Sequence, residues 1–344
     1  MHFVRSAIAF LSLGGLTAFA VMTLSSLLAQ PQTAYAEATS ITISASPIAW
    51  NPEAPQEAQA GNLVYVGGLE LTSEAPRFGG LSGLAVSPDG AALIAVSDQG
   101  DWFTARLEME GDRPVGLSQA LIAPILDAQG DPLESKTESD AEGLAILEGT
   151  GVWPGRAIVS FERHHRVDSY DLESNGLDAK AHPVADFGAF AALENNKGLE
   201  AVTYLADGSL LAISEETLDA DGFIVGARLT TDGAAPVRFR QHVPYALTDV
   251  AVLPGGDLVT LERRYSPIGG VGLLMRRIPA GALEKDEPLD GPILLEANNS
   301  RSIDNMEGFS VRRAEDGRTL LYLVSDDNFN PLQRTLLLVF ALDE

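Results

Sequence analysis

The chain contains no cysteine, which excludes disulfide staples and thiolate metal ligands alike. It is poor in cations, with 23 Lys and Arg against 48 Asp and Glu and a formal net charge of −25. Nucleic acid is therefore not expected as a partner, because binding it requires a basic surface that neutralises phosphates. The short signatures of several chemistries are also missing: there is no G-x-S-x-G elbow, no G-x-x-x-x-G-K-[ST] loop and no H-E-x-x-H pair. No long amphipathic helical stripe interrupts the sequence. One long apolar run exists, Ala7 to Leu28, behind Arg5, and it is followed by A-Y-A at Ala34 to Ala36. This pattern predicts residues 1–36 as a signal peptide cut after Ala36, and hence a periplasmic or secreted protein with no stable membrane insertion. The run is long enough to span a bilayer, so an uncleaved anchor is the alternative. Cleavage removes Arg5 and takes the net charge from −25 to −26.

What the sequence does contain is one hairpin, written five times. Its last copy runs from Asn305: N-M-E-G-F-S-V-R-R, a turn at Glu315-Asp316-Gly317, then T-L-L-Y-L-V-S-D-D-N-F-N. Upstream copies are L-S-G-L-A-V-S-P-D-G-A-A-L-I-A-V-S-D from Leu81, and D-A-E-G-L-A-I-L-E from Asp140 continuing in R-A-I-V-S-F-E-R from Arg156. Two more are K-G-L-E-A-V-T-Y-L-A-D-G-S-L-L-A-I-S-E-E from Lys197 and L-T-D-V-A-V-L-P-G-G-D-L-V-T-L-E-R-R from Leu247. A spacing of roughly fifty to sixty residues belongs to propellers and arrays rather than to helical solenoids. Each of the first four copies is followed by two further candidate strands, but the fifth by only one, Arg334 to Leu342. An unassigned strand at Asn62 to Leu71 can fill the gap and close a ring, which removes a free sheet edge. The fold expected is an all-β propeller of four-stranded blades spanning 62–344. Five blades are counted, and a sixth is left open by the candidate strand Ile41 to Ser46 and the long inter-repeat stretches. Residues 37–61, rich in Ala, Pro, Glu and Gln, are expected to be mostly a flexible lead-in.

Because the two strands of a hairpin are antiparallel, the start of the first lies beside the end of the second. One end of the ring would then gather Asp98, Glu142 with Glu162, Glu200 with Glu215, Asp249 with Glu262, and Glu307 with Asp326. Several carboxylates converging at one place need cations or protons. Oxygen-only donors suit Ca²⁺. Asp98, Glu142, Glu200, Glu307, Asp326 and Asp327 are the expected metal ligands. Glu162, Arg163, Glu262 and Arg263 are the expected catalytic groups, the arginines meeting the charge that develops in the transition state. Arg264, Lys197 and Arg334 are the expected contacts to an anionic or ester substrate, with a metal-activated water as nucleophile. The plainer reading is that these acids cap strand ends and pair with the neighbouring arginines.

The motifs G-L-S-G-L-A ending in S-D, D-A-E-G-L-A, N-K-G-L-E-A-V, L-T-D-V-A-V-L-P-G-G-D-L-V-T-L-E-R-R and N-M-E-G-F-S ending in S-D-D-N-F-N-P-L-Q-R-T resemble those of the phytase-like propellers, described as "esterase-like activity of phytase". The resemblance covers roughly Gly68 to Leu342. It implies an exported propeller and, through the family's description, phosphoester or ester hydrolysis. Two other functions stay open: a non-catalytic propeller that binds a ligand or protein at the cell envelope, and a calcium-dependent lactonase-like hydrolase.

Overall fold

In the computed structural model, residues 37–147, 153–184, 193, 198–230, 232–266 and 269–342 are described. Alternating apolar strands separated by tight Gly- or Asp-bearing turns fold into five antiparallel sheets. Two helices of four residues each, Lys136–Ser139 and Leu172–Asn175, are the α-helices among the described residues. Blade 1 runs from the centre outward as Leu81–Val86, Ala92–Ser97, Asp101–Glu110 and Arg113–Pro124, with Thr39–Ser40 added at its rim. Blade 2 is Ala141–Leu147, Arg156–Phe161, Arg166–Asp171 and His182–Pro183. Blade 3 is Leu199–Tyr204, Leu210–Leu218, Ile224–Thr230 and Gly233–Phe239. Blade 4 is Ala246–Val252, Leu258–Ser266, Gly270–Ile278 and Ile293–Asn298.

Blade 5 is built from both ends of the propeller. Asn305–Arg313, Thr319–Asp326 and Thr335–Leu342 pair in sequence, and Leu63–Thr72 then lies antiparallel to Thr335–Leu342, with Leu336 opposite Glu70 and Leu338 opposite Gly68. The ring is therefore a β-propeller of five blades closed by the N-terminal strand, and the open question of a sixth blade is settled. The strand expected at Ile41 to Ser46 forms slightly later, at Ser44–Ile48, and pairs outside the closing strand. Residues 37–61, expected as a lead-in, thus hold three short strands. The reason is physical: the outer edge of Leu63–Thr72 would otherwise expose a row of unpaired amides. Trp50 anchors the segment, 2 % exposed and edge-on to Phe340 at 5.2 Å between ring centroids. Residues 1–36, with the expected leader, lie outside the described residues, and no helix among the described residues is long and apolar enough to cross a membrane.

The cores lie between neighbouring blades, where apolar faces stack. Trp102 of blade 1 meets Tyr170 of blade 2 edge-on at 5.3 Å, both fully buried. The innermost strands pack closely around the axis, and small residues permit this. A Cβ on Gly143 would sit 2.3 Å from the Glu200 carbonyl oxygen, and one on Gly308 would sit 2.6 Å from that of Ser82. Each innermost strand also carries a bulge near its start, where the pairing register with the second strand slips. A bulge re-aims the side chain it carries, and that places the chemistry.

Candidate functional site

The register fixes which residues are equivalent among blades. At the bulges stand Ser82, Glu142, Glu200, Thr248 and Glu307. One step past the pairs Leu81–Ser97, Ala141–Phe161, Leu199–Ser214, Leu247–Glu262 and Met306–Ser325 stand Asp98, Glu162, Glu215, Arg263 and Asp326. The hydrogen bonds repeat as well: the Asp98, Glu162 and Glu215 amides each donate 2.9 Å bonds, to the Gly80, Asp140 and Gly198 carbonyls. These two rings line one end of the central channel.

The seven acids and one arginine are not evenly neutralised. In blade 1, Lys136 Nζ lies 2.7 Å from Asp98 Oδ2 and also pairs with Asp140, while Arg163 Nε donates to Asp140 Oδ2 at 2.6 Å. Between blades 3 and 5, Arg263 Nη2 donates to Glu215 Oε1 at 3.2 Å. Its Nε lies 3.1 Å from Glu307 Oε1, but the N–H does not point at that oxygen, so the contact is an ion pair rather than a hydrogen bond. Asn305 Nδ2 donates to the same Glu307 oxygen at 2.6 Å. Among the described residues no ion pair reaches Glu142, Glu162 or Glu200.

Those three acids are the crowded ones. Oxygens of Asp140, Glu142 and Glu162 lie within 4.8 Å of one another, and so do oxygens of Glu162, Glu200 and Glu215. Two charges at that separation repel by about 3.5 kcal/mol at an effective dielectric near 20. The consequence is visible in their acidities. Glu142 is pushed well above the carboxylate range by burial and then by Glu200 and Glu307; Glu200 is pushed up by burial and then by Glu215 and Glu162. Glu162 rises to about 7, through burial first and then Asp140 and Glu215. Asp326 rises to about 9, through burial and then Glu307 and Asp98. Glu307 is raised by burial although Arg263 pulls the other way. The mouth can therefore hold protons or a hard cation. Every donor is a carboxylate oxygen, the set that suits Ca²⁺.

The expected residues separate accordingly. Glu142, Glu162 and Glu200 are brought together, joined by Glu215 and by Asp140, the residue just before the first strand of blade 2. Asp98 and Glu307 stand beside them, each already held by a cation. Asp326 takes the Asn328 amide at 2.6 Å. Asp327 ties loops, accepting from the Gly80 amide at 3.1 Å and the Thr335 hydroxyl at 3.0 Å. Arg163 and Arg263 are at the mouth. Glu262 is not, since successive strand residues point to opposite faces. It is buried inside blade 4 under Arg276, whose Nε and Nη2 donate to it at 2.7 and 3.0 Å. The expected pairing of Asp249 with Glu262 is thus replaced by Thr248 and Arg263. Asp249 takes the place of the Gly in three other blades, and there it accepts the Phe309 amide at 2.8 Å.

Arg264 lies over Tyr245, 5.8 Å from the ring centroid, and Arg334 reaches Glu70 and Asp304 at 3.7 and 3.6 Å, so neither is brought to the cluster. Lys197 lies outside the described residues. Lys136 was not singled out from sequence, because it sits in a polar inter-blade stretch with no repeat signal. Asp140 had one, as the first letter of D-A-E-G-L-A.

A family model described as phytase-like, "esterase-like activity of phytase", matches residues 76–329. No curated protein matches the chain. Among solved structures, a protein provisionally described as a gluconolactonase aligns at 13 % identity, over 87 % of this chain and 94 % of its own, with a TM-score of 0.42. Virginiamycin B lyase from Staphylococcus aureus aligns at 10 % identity, over 88 % of this chain and 100 % of its own, with a TM-score of 0.40.

Proposed function

The chain belongs to the phytase-like family, and from that premise we propose that it is an exported hydrolase of phosphate esters or related esters that works with a bound divalent cation, Ca²⁺ by the nature of its donors. The observation that carries this reading is the set of buried acids Glu142, Glu162 and Glu200, crowded within two overlapping groups and reached by no ion pair among the described residues. These three would hold the ion, with Asp140 and Glu215 at its edges. When bound, such an ion polarises an ester oxygen and acidifies water.

The protein's own groups have separate tasks. Glu162, pushed up to about 7 in the metal-free mouth, must release its proton to ligate the ion, so ion binding is linked to its ionisation near neutral pH. Arg163 donates its Nε to Asp140, and its side chain remains 40 % exposed, so its guanidinium meets an arriving anionic group at the rim. The strongly negative chain repels anions at long range, and only a locally reversed field can draw one in. Export rests on the leader pattern in residues 1–36.

The test is calorimetric titration of Ca²⁺ into metal-free mature protein, beside assays with p-nitrophenyl phosphate and p-nitrophenyl acetate. Saturable binding is expected, with turnover abolished by chelator and restored by Ca²⁺. Neither heat nor turnover would remove the hydrolase and leave an envelope binding module. Binding with turnover confined to lactones would move the substrate class to the lactonase-like alternative.

A further inference from the structure

The apolar packing between blades 1 and 2 stops short of the end opposite the mouth. On the face that blade 1 turns to blade 2, Ile94, Val96 and Trp102 fill the space against Val159, Phe161 and Tyr170. Strand residues alternate faces, so Thr104 and Arg106 continue the face of Trp102. Leu121 pairs with Thr104, and the small Ala92 with Arg106. A cavity of about 360 Å³ opens there, walled on the blade 2 side by Trp153, Leu172 and Leu177. It lies away from the mouth because Ala92 begins its strand, and second strands end at the mouth. Three polar groups line this cavity unused. Arg106 is exposed at its opening, and no ion pair or hydrogen bond reaches its guanidinium among the described residues. The Thr104 hydroxyl and the Gln119 carboxamide are likewise without partners among the described residues. Gln119, at φ +50°, stands where the pairing of the third and fourth strands slips, and that bulge re-aims it.

We propose that this cavity binds a small aromatic carboxylate, with its ring against Trp153, Leu172 and Leu177 and its carboxylate on Arg106. The volume falls in the range of small-molecule sites, which are mostly apolar with a few converging polar groups. A guanidinium matches a carboxylate with two parallel N–H bonds. The Gln119 amide and the Thr104 hydroxyl are further donors for the same oxygens. Trp153 offers an aromatic surface to a ring, which prefers offset or edge-on contact. The chain holds 48 Asp and Glu against 23 Lys and Arg, so a guanidinium with no carboxylate beside it is a local exception. A multiply charged ligand would meet the repulsion of a net charge of −25, whereas a monoanion with an apolar body enters with one charge matched. The site is separate from the acids at the mouth, and the inference stands without the cation reading. A ligand held there would bridge blades 1 and 2 and stabilise the folded chain by mass action.

The test titrates the mature protein, with chelator present, with phenylpropionate and with phenylpropanol, which has the same body without the charge. Calorimetry gives the affinity and tryptophan emission gives the place, because Trp50 and Trp102 are 2 % and 0 % exposed while Trp153 lines the cavity half-buried. Saturable binding of the acid is expected, at a Kd at least about tenfold below that of the alcohol, as a charge-assisted bond supplies. Emission should change with it, and Trp153→Phe should remove that change. Arg106→Gln should raise the Kd of the acid to that of the alcohol. Ala92→Phe, which fills the cavity, should abolish binding of both. Arg106 is exposed, so its variant should keep the fold, and it decides the matter if Ala92→Phe does not fold. No saturable binding of the acid, equal affinity for acid and alcohol, binding that leaves emission unchanged, or a folded Arg106→Gln that binds the acid as the wild type does would each overturn the proposal.

Discussion

The two ends of the central channel are made by the same five strands and could hardly differ more. At the starts of these strands, around the bulges, the lining is Glu142, Glu200 and Glu307, with Glu162, Glu215 and Asp326 close by. At their far ends a cavity of about 210 Å³ is lined by groups such as Leu84, Leu144, Val250, Phe309 and Val311, and no carboxylate is among its described lining residues. Bulges exist only near the starts. There they re-aim side chains and admit buried charge, whereas past them regular alternation resumes and side chains go into the inter-blade cores. The mouth carries electrostatic strain and the far end carries packing. A propeller of this kind can therefore alter its chemistry without disturbing its closure.

That division can be broken most forcefully at the packed end. Phe309 is 2 % exposed, and Phe309→Ala should destabilise the fold by about 3–5 kcal/mol. Calcium affinity per folded molecule should stay at the wild-type value. A denaturant titration with a parallel calcium titration measures both, and a large loss of affinity in the folded fraction would mean that the two ends are coupled. A smaller and opposite pattern is expected from two glutamates that end equivalent hairpins. Glu162→Gln should weaken calcium binding by at least about a hundredfold, since even groups one shell removed from a metal cost ten- to a hundredfold, and should leave the metal-free fold as stable as before or more so. Glu262→Gln should lower stability, because it leaves Arg276 buried with one charged partner fewer, and should not change calcium binding. If the two glutamates behave alike, the assignment of mouth and blade interior by register is wrong.

The sequence made the architecture legible because the repeat carries its own strand pattern and because the fifth copy was visibly one strand short. Crowding at one end also followed, since antiparallel pairing forces the acids of D-A-E-G and S-F-E-R together. What could not be read was the bulge. One extra residue shifts the register, which is why the spacing in blade 4 points to Asp249 and Glu262 while the structure presents Thr248 and Arg263. Nor does a sequence tell which arginine is already occupied. Arg276, silent in the motif, is fully buried against Glu262, while Arg263 beside it in the L-E-R-R run faces the mouth.

The smallest expected effect is a pH dependence, and its sign separates the two ends most cleanly. In metal-free protein the mouth acids titrate above their ordinary values: Glu162 near 7 against 4.5, and Asp326 near 9 against 3.8. A carboxyl raised on folding contributes stability that is fully present below its unfolded pKa and is lost as pH rises toward the folded one. The melting temperature of metal-free protein should therefore fall between about pH 5 and pH 9. Depressed carboxylates such as Asp207, held at about 2 by Ser209, give their contribution up only below that window. His165, lowered by burial, acts with the opposite sign but is a single group against Glu142, Glu162, Glu200, Glu307 and Asp326. Calcium reverses the slope, because its ligands must release protons to bind it and so bind more tightly as pH rises. The rise in melting temperature on adding Ca²⁺ should then be small at pH 5 and several-fold larger at pH 8, while the deficit caused by Phe309→Ala stays the same at both. Thermal scans of the two proteins with and without Ca²⁺ measure all of this. A metal-free melting temperature that is flat or climbs across the window would mean that the acids at the mouth are already compensated, and the case for an exchangeable ion there would go with it.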